Sequence, residues 1–178
     1  VYLFDWMECR ISAEDTTDRN LRGTARHYAT LGRTGDAAAG FVLSMPQDGM
    51  YTAYPQTESE TIIKATASAG GRRIDTWGPY AGFDKTGYMT FTSDAMNCVG
   101  FDHGGPFTRP DGGSASQGYA YLLRGYFCER APIPDAKRRL VQYLEAVRIG
   151  RPGAGRNALG GEVVALKDPL WQVAAGAP

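Results

Sequence analysis

The chain has 178 residues, 43% hydrophobic and 21% charged, which are ordinary proportions for one globular domain able to bury a core. Lysine plus arginine equals aspartate plus glutamate at 19 each, so no overall field recruits polyanions and nucleic acid is not an expected partner. Glycine at 23 and proline at 10 multiply turns and argue against a helical bundle, so short strands should dominate.

Residues 1–9 are apolar and aromatic, with Leu3, Phe4, Trp6 and Met7 in one stretch, and read as a docked first strand or the stump of an anchor. Because the numbering starts at Val1, a leader or lipid anchor ahead of it would be invisible here. From Ser12 the chain turns polar, and Ser12 with Asp15 resembles a capping pair for a short helix reaching toward Tyr28. Residues 41–45 predict a short strand closed by the turn Pro46-Gln47-Asp48-Gly49, with 50–54 pairing back. Residues 61–68 are β-branched and alternating, Gly70-Gly71 suits a tight turn, and 73–77 return, which together predict a hairpin. A loop over 78–85 and one long strand over 87–99 follow.

Residues 102–118 hold five glycines and two prolines and are expected to form a surface loop, after which 119–128 return as a strand. Pro134-Asp135 supplies a helix start, and Leu140, Leu144 and Val147 then recur at i, i+4 and i+7 until Gly150 and Pro152 stop the helix. The organisation expected is a single globular domain over 1–149 and an extended Gly/Ala/Pro-rich tail over 150–178. That tail carries Leu166, Leu170 and Trp171, more apolar surface than a free linker normally has, so residues 162–173 are expected to lie extended against a protein partner or a distant patch of this domain, with Trp171 as anchor. No apolar run approaches the roughly 20 residues of a transmembrane helix.

Cys9, Cys98 and Cys128 show no CxxC spacing and no nearby histidine, so neither a zinc site nor a thioredoxin-like motif is expected. Cys98 and Cys128 each follow a strand-like aromatic run, and neighbouring strands would bring them within bridging range; three buried thiols are the alternative. A bridge implies an oxidising compartment and leaves Cys9 over.

Histidine is the usual base near neutral pH, and there are two, His27 and His103, with nothing in the sequence to bring them together. Asp102-His103-Gly104-Gly105 with Asp111 has the ligand types of a metal site, but its spacing matches no known loop and Asp-Gly runs equally serve turns. The run from Gly113 to Gly118 lacks the GxSxG pattern of a serine nucleophile. No catalytic residue, metal site or cofactor is therefore assigned. The aromatics Trp77, Tyr80 and Phe83, with Tyr88, straddle a Gly/Pro stretch and are a possible ligand platform of the kind used in sugar and peptide recognition; core packing is the competing role.

The stretch Asn97-Cys98-Val99-Gly100-Phe101, a Gly-rich loop, Leu123-Arg124-Gly125-Tyr126-Phe127-Cys128, then proline and a helix, resembles small exported bacterial envelope proteins and lipoproteins of uncharacterised function. The resemblance covers residues 90–149 and implies pairing of the two cysteines and a periplasmic or extracellular location. The fold class expected is α+β, a twisted antiparallel sheet or partial barrel with one C-terminal helix on a face. The function expected is a non-catalytic exported binding or structural module, an accessory subunit of a membrane-associated envelope complex. The alternative is a small secreted hydrolase using a histidine and a carboxylate.

Overall fold

Strand-forming residues at alternating positions build most of the described chain. The computed structural model describes residues 8–10, 25–33, 37–46, 59–105, 121–149 and 156–164. Its strands are β1 (Glu8–Arg10), β2 (Ala25–Arg33), β3 (Ala37–Pro46), β4 (Thr76–Phe83), β5 (Thr86–Ser93), β6 (Met96–Gly104), β7 (Leu122–Glu129), β8 (Arg148–Ile149) and β9 (Arg156–Asn157). The helices are α1 (Ser59–Ser68) and α2 (Ala136–Ala146). The first seven strands form one antiparallel sheet in the order β1-β2-β3-β7-β6-β5-β4, and β8 pairs with β9. The α+β class holds, and no described helix is long and apolar enough to cross a membrane.

Each strand presents alternate side chains to opposite faces. One face carries Phe41, Leu43, Val99, Phe101, Leu123 and Phe127, packed against Leu140, Tyr143, Leu144 and Val147 of the α2 region. The Tyr143 ring stacks on Phe127 and Phe41 with centroids 4.6 and 5.2 Å away. Asp135 caps α2 by accepting from the Arg138 amide at 2.9 Å, as the Pro134-Asp135 signal predicted. The other face carries Phe91, Met96, Cys98, Tyr126 and Cys128 beneath α1, which buries Ile63 and Ala67. Large and small residues interlock across the sheet: Tyr126 opposes Gly40 and Gly100, while Phe41 opposes Gly125. A methyl at Gly40 would stand 2.8 Å from the Tyr126 ring, closer than carbon atoms can pack.

Several expectations need correction. Residues 61–68 form the helix α1 rather than a strand, and Gly70-Gly71 belong to a 3-10 turn. Ser59, Ile63 and Ala67 lie four apart and are all buried, a helical stripe that outweighs the local β-branched alternation. Two helices therefore flank the sheet, one on each face, instead of one. Residues 25–28, expected to end a helix, lie in β2. The long strand over 87–99 is two strands joined at Asp94-Ala95, whose φ angles of 51° and 59° make a two-residue turn without glycine. Residues 78–83 form edge strand β4 rather than loop, and residues 102–104 finish β6 rather than opening a surface loop.

Residues 156–164, the described part of the C-terminal tail, fold back on the domain. The Ala158 amide donates to Leu144 O and the Val164 amide to Glu145 O, so the segment satisfies carbonyls at the end of α2. Buried Asn157 holds the segment's own turn, its Oδ1 accepting from the Leu159 and Gly161 amides and its Nδ2 donating to Glu162 O. Leu166, Leu170 and Trp171 lie outside the described residues, as do residues 1–7, 11–24 and 50–54.

Candidate functional site

The most distinctive polar arrangement sits on the α1 face where β4, β5 and β6 meet. Pairing in β4 shifts register between Trp77 and Tyr80, which oppose Phe91 and Met89 respectively. Phe91 and Met89 are two apart and share a face, so the bulge absorbs one residue and turns both Trp77 and Tyr80 toward α1. Trp77 then packs on Phe91 at 5.1 Å and is half-buried, whereas Tyr80 stays 41% exposed. Phe83 falls on the opposite face, where its ring meets Tyr88 at 6.0 Å and Lys137 lies 5.3 Å from it. The three aromatics do not form one platform; Tyr80 alone presents its ring openly.

Beside Tyr80 the register aligns Gly82, Gly87, Asp102 and Arg124 across four neighbouring strands. The two glycines leave a trough over which the Tyr80 and Ser59 side chains converge, since a Cβ on Gly87 would stand 2.6 Å from both hydroxyl oxygens. This makes a cleft of about 320 Å³, lined by Ser59, Tyr80, Gly82, Gly87 and Asp102, with Asp84 and Lys85 at its hairpin rim. Asp102 is buried at its floor. Its Oδ1 accepts from Arg124 Nε at 3.1 Å and its Oδ2 from Ser59 Oγ at 2.9 Å. Ser59 spends its proton on Asp102, so its oxygen offers the cleft acceptor lone pairs.

His103 follows Asp102 in β6 and therefore points to the other face. Its Nε2 donates to Ala158 O at 2.8 Å, and its Nδ1 shares a hydrogen bond of 2.8 Å with Thr86 Oγ1, whose hydroxyl can donate to the neutral ring. Burial holds its pKa below the ordinary histidine value, with Lys85 adding a smaller push in the same direction against the Ala158 hydrogen bond. Tyr121 donates to the same carbonyl at 2.5 Å, and burial raises its hydroxyl pKa. His103 is thus a strut that ties residues 156–164 to the sheet. Strand alternation keeps it from Asp102, so these consecutive residues cannot form the histidine–carboxylate pair a hydrolase would need. The His27 side chain lies outside the described residues. Among the described residues no group of three or more His, Cys, Asp or Glu side chains lies close enough to hold a metal ion.

Cys98 and Cys128 are directly paired across β6 and β7 and form a disulfide with S–S 2.08 Å and Cα–Cα 4.0 Å. It sits beneath α1 on the cleft's face, away from solvent.

Sequence reading missed Ser59, Gly82, Gly87 and Arg124 and weighed Asp102 only as a turn residue or a metal ligand. The one local trace was glycine recurring on both sides of Asp84-Lys85. Comparison with protein-family models, with curated proteins and with solved structures found no match to this chain.

Proposed function

We propose that the chain is a non-catalytic, exported binding module that takes a small ligand in the cleft between the start of α1 and the β4–β5 hairpin. The observation that carries this reading is the Ser59–Asp102–Arg124 set, in which Ser59 and Asp102 are buried at the cleft and Arg124 is partly buried behind them. A buried ion pair adds little to stability compared with apolar packing, because its desolvation offsets its attraction. Here it is placed where the sheet opens to solvent, and it fixes two polar side chains in advance of a ligand, which lowers the ordering cost of binding. The disulfide supports export, since such bonds persist in oxidising compartments such as the periplasm. A role as accessory subunit of a membrane-associated complex is part of the same reading, with Leu166, Leu170 and Trp171 meeting the protein partner.

The test is a small-molecule panel followed by amide NMR, with chromogenic ester, phosphoester and glycoside substrates assayed in parallel. Saturable shifts at Ser59, Gly82, Gly87 and Gly104 without turnover are the expected result. Turnover abolished by Asp102→Asn in a folded protein would overturn the binding reading in favour of a hydrolase.

A further inference from the structure

Resting on that reading of the cleft, we infer that its ligand is a neutral, polyhydroxylated ring, one sugar residue of a saccharide. Size sets the first limit. A cleft of about 320 Å³ is at the small end of ligand sites, which run roughly 300–1,000 Å³, and suits a single ring more than an extended chain.

Charge sets the second. The floor places Asp102 against Arg124, and the rim places Asp84 next to Lys85, so each sign is accompanied by the other. Neither an anion nor a cation meets a net field of opposite sign, and an ion would leave water without compensation. A neutral ligand carries no such cost.

Hydrogen-bonding chemistry sets the third. Ser59 Oγ presents acceptor capacity because its own proton goes to Asp102, while the Tyr80 hydroxyl both donates and accepts. Hydroxyl groups answer both requirements at once. The Tyr80 ring adds an exposed aromatic face, and a sugar ring has a C–H face to lay on it while its hydroxyls point outward from its edge. Gly87 lets the Tyr80 ring edge and the Ser59 hydroxyl rest against the sheet backbone, which a side chain there would prevent, and so sets the position of the two groups that would meet the sugar.

A peptide strand fits less well. It would have to extend the sheet at β4, yet Pro79 lacks the N–H such pairing needs and the register shift between Trp77 and Tyr80 breaks the edge.

The experiment titrates the oxidised, full-length chain with methyl glucoside, methyl galactoside, methyl mannoside and N-acetylglucosamine, followed by amide NMR. Inorganic phosphate, tetramethylammonium and trialanine serve as comparison probes. At least one sugar is expected to shift Ser59, Gly82, Gly87 and Gly104 saturably, and Tyr80→Ala should weaken it about tenfold, the loss typical of an aromatic anchor. Tyr80→Phe, which keeps the ring, should retain most of the affinity, and Gly87→Ala should abolish binding by displacing the Tyr80 and Ser59 side chains that rest over it. Tyr80 is exposed, so its variants fold, and melting curves check Gly87→Ala. Cleft shifts from phosphate, the ammonium or the peptide with none from sugars would overturn the saccharide class and leave the cleft reading standing. No cleft shift from any probe would overturn both. Sugar binding indifferent to Tyr80→Ala would also overturn the inference.

Discussion

Replacing both cysteines of the Cys98–Cys128 bridge by alanine should leave the fold in place and lower its stability by an amount set by the unfolded chain. The two residues are register partners between β6 and β7, and the flanking pairs Asn97 with Glu129 and Val99 with Phe127 hold the strands together without the bond. The bond's main effect is then to restrict the denatured ensemble. For a sequence separation of 30 residues, the chain-entropy relation gives about 12 cal/mol/K, or about 3.6 kcal/mol at 25 °C. Set against a total of about 5–15 kcal/mol for a typical domain, that is between a quarter and most of the stability. Urea unfolding of the oxidised wild type and the double alanine variant measures it. The variant should unfold at lower urea and with a larger m-value, because its unfolded chain exposes more surface once the cross-link is gone. A loss below about 1 kcal/mol with an unchanged m-value would refute the loop-entropy reasoning.

Three further outcomes follow from the packing. Leu144→Ala should cost about 2–5 kcal/mol by the cavity penalty, while Glu145→Ala should cost little; equal thermal shifts would mean that the buried face of α2 is misassigned. His103 should make stability depend on pH. Its pKa is lowered in the folded protein, so between that value and the ordinary 6.5 the unfolded chain binds more protons, and stability falls as pH drops below about 6.5. The slope is at most about 1.4 kcal/mol per pH unit, and His103→Gln should remove it; denaturant midpoints across that range, compared between the two proteins, check this. Ala95 holds φ 59° in the Asp94-Ala95 turn, where an alanine is strained by about 1–2 kcal/mol and glycine loses only about 0.5–1 in entropy. Ala95→Gly should therefore raise the melting temperature by about 2–3 °C, and a fall would show that the turn is not strained.

What the sequence by itself determined is local. It contains the α+β class, the helix α2 with its Asp135 cap and its buried Leu140 and Leu144, and the strands around Phe41, Cys98 and Cys128, because caps and apolar periodicity act within a few residues of one another. The end of α2 was misplaced, since it stops at Ala146, with Val147 extended and residues 148–149 in β8 rather than in the helix. The two-residue turns at Asp84-Lys85 and Asp94-Ala95 escaped notice because they lack the glycine that usually marks such connections. The helix α1 was hidden for a different reason. Its β-branched residues read as a strand, and its stripe of Ser59, Ile63 and Ala67 gains meaning only where Gly100 opens room for Ile63 against the sheet.

The cleft depended wholly on tertiary structure. Ser59 lies 43 positions from Asp102, and Arg124 lies 22 beyond it, so no motif spacing joins them. Sheet register aligns Asp102 with Arg124 and with two glycines, the bulge in β4 swings Tyr80 over them, and α1 delivers Ser59 from the other side. Strand alternation likewise decided which of Asp102 and His103 faces the cleft and which faces the core. A pattern of hydrophobicity records which side chains avoid water, whereas partners brought together by register are specified only when strands from distant parts of the chain pair.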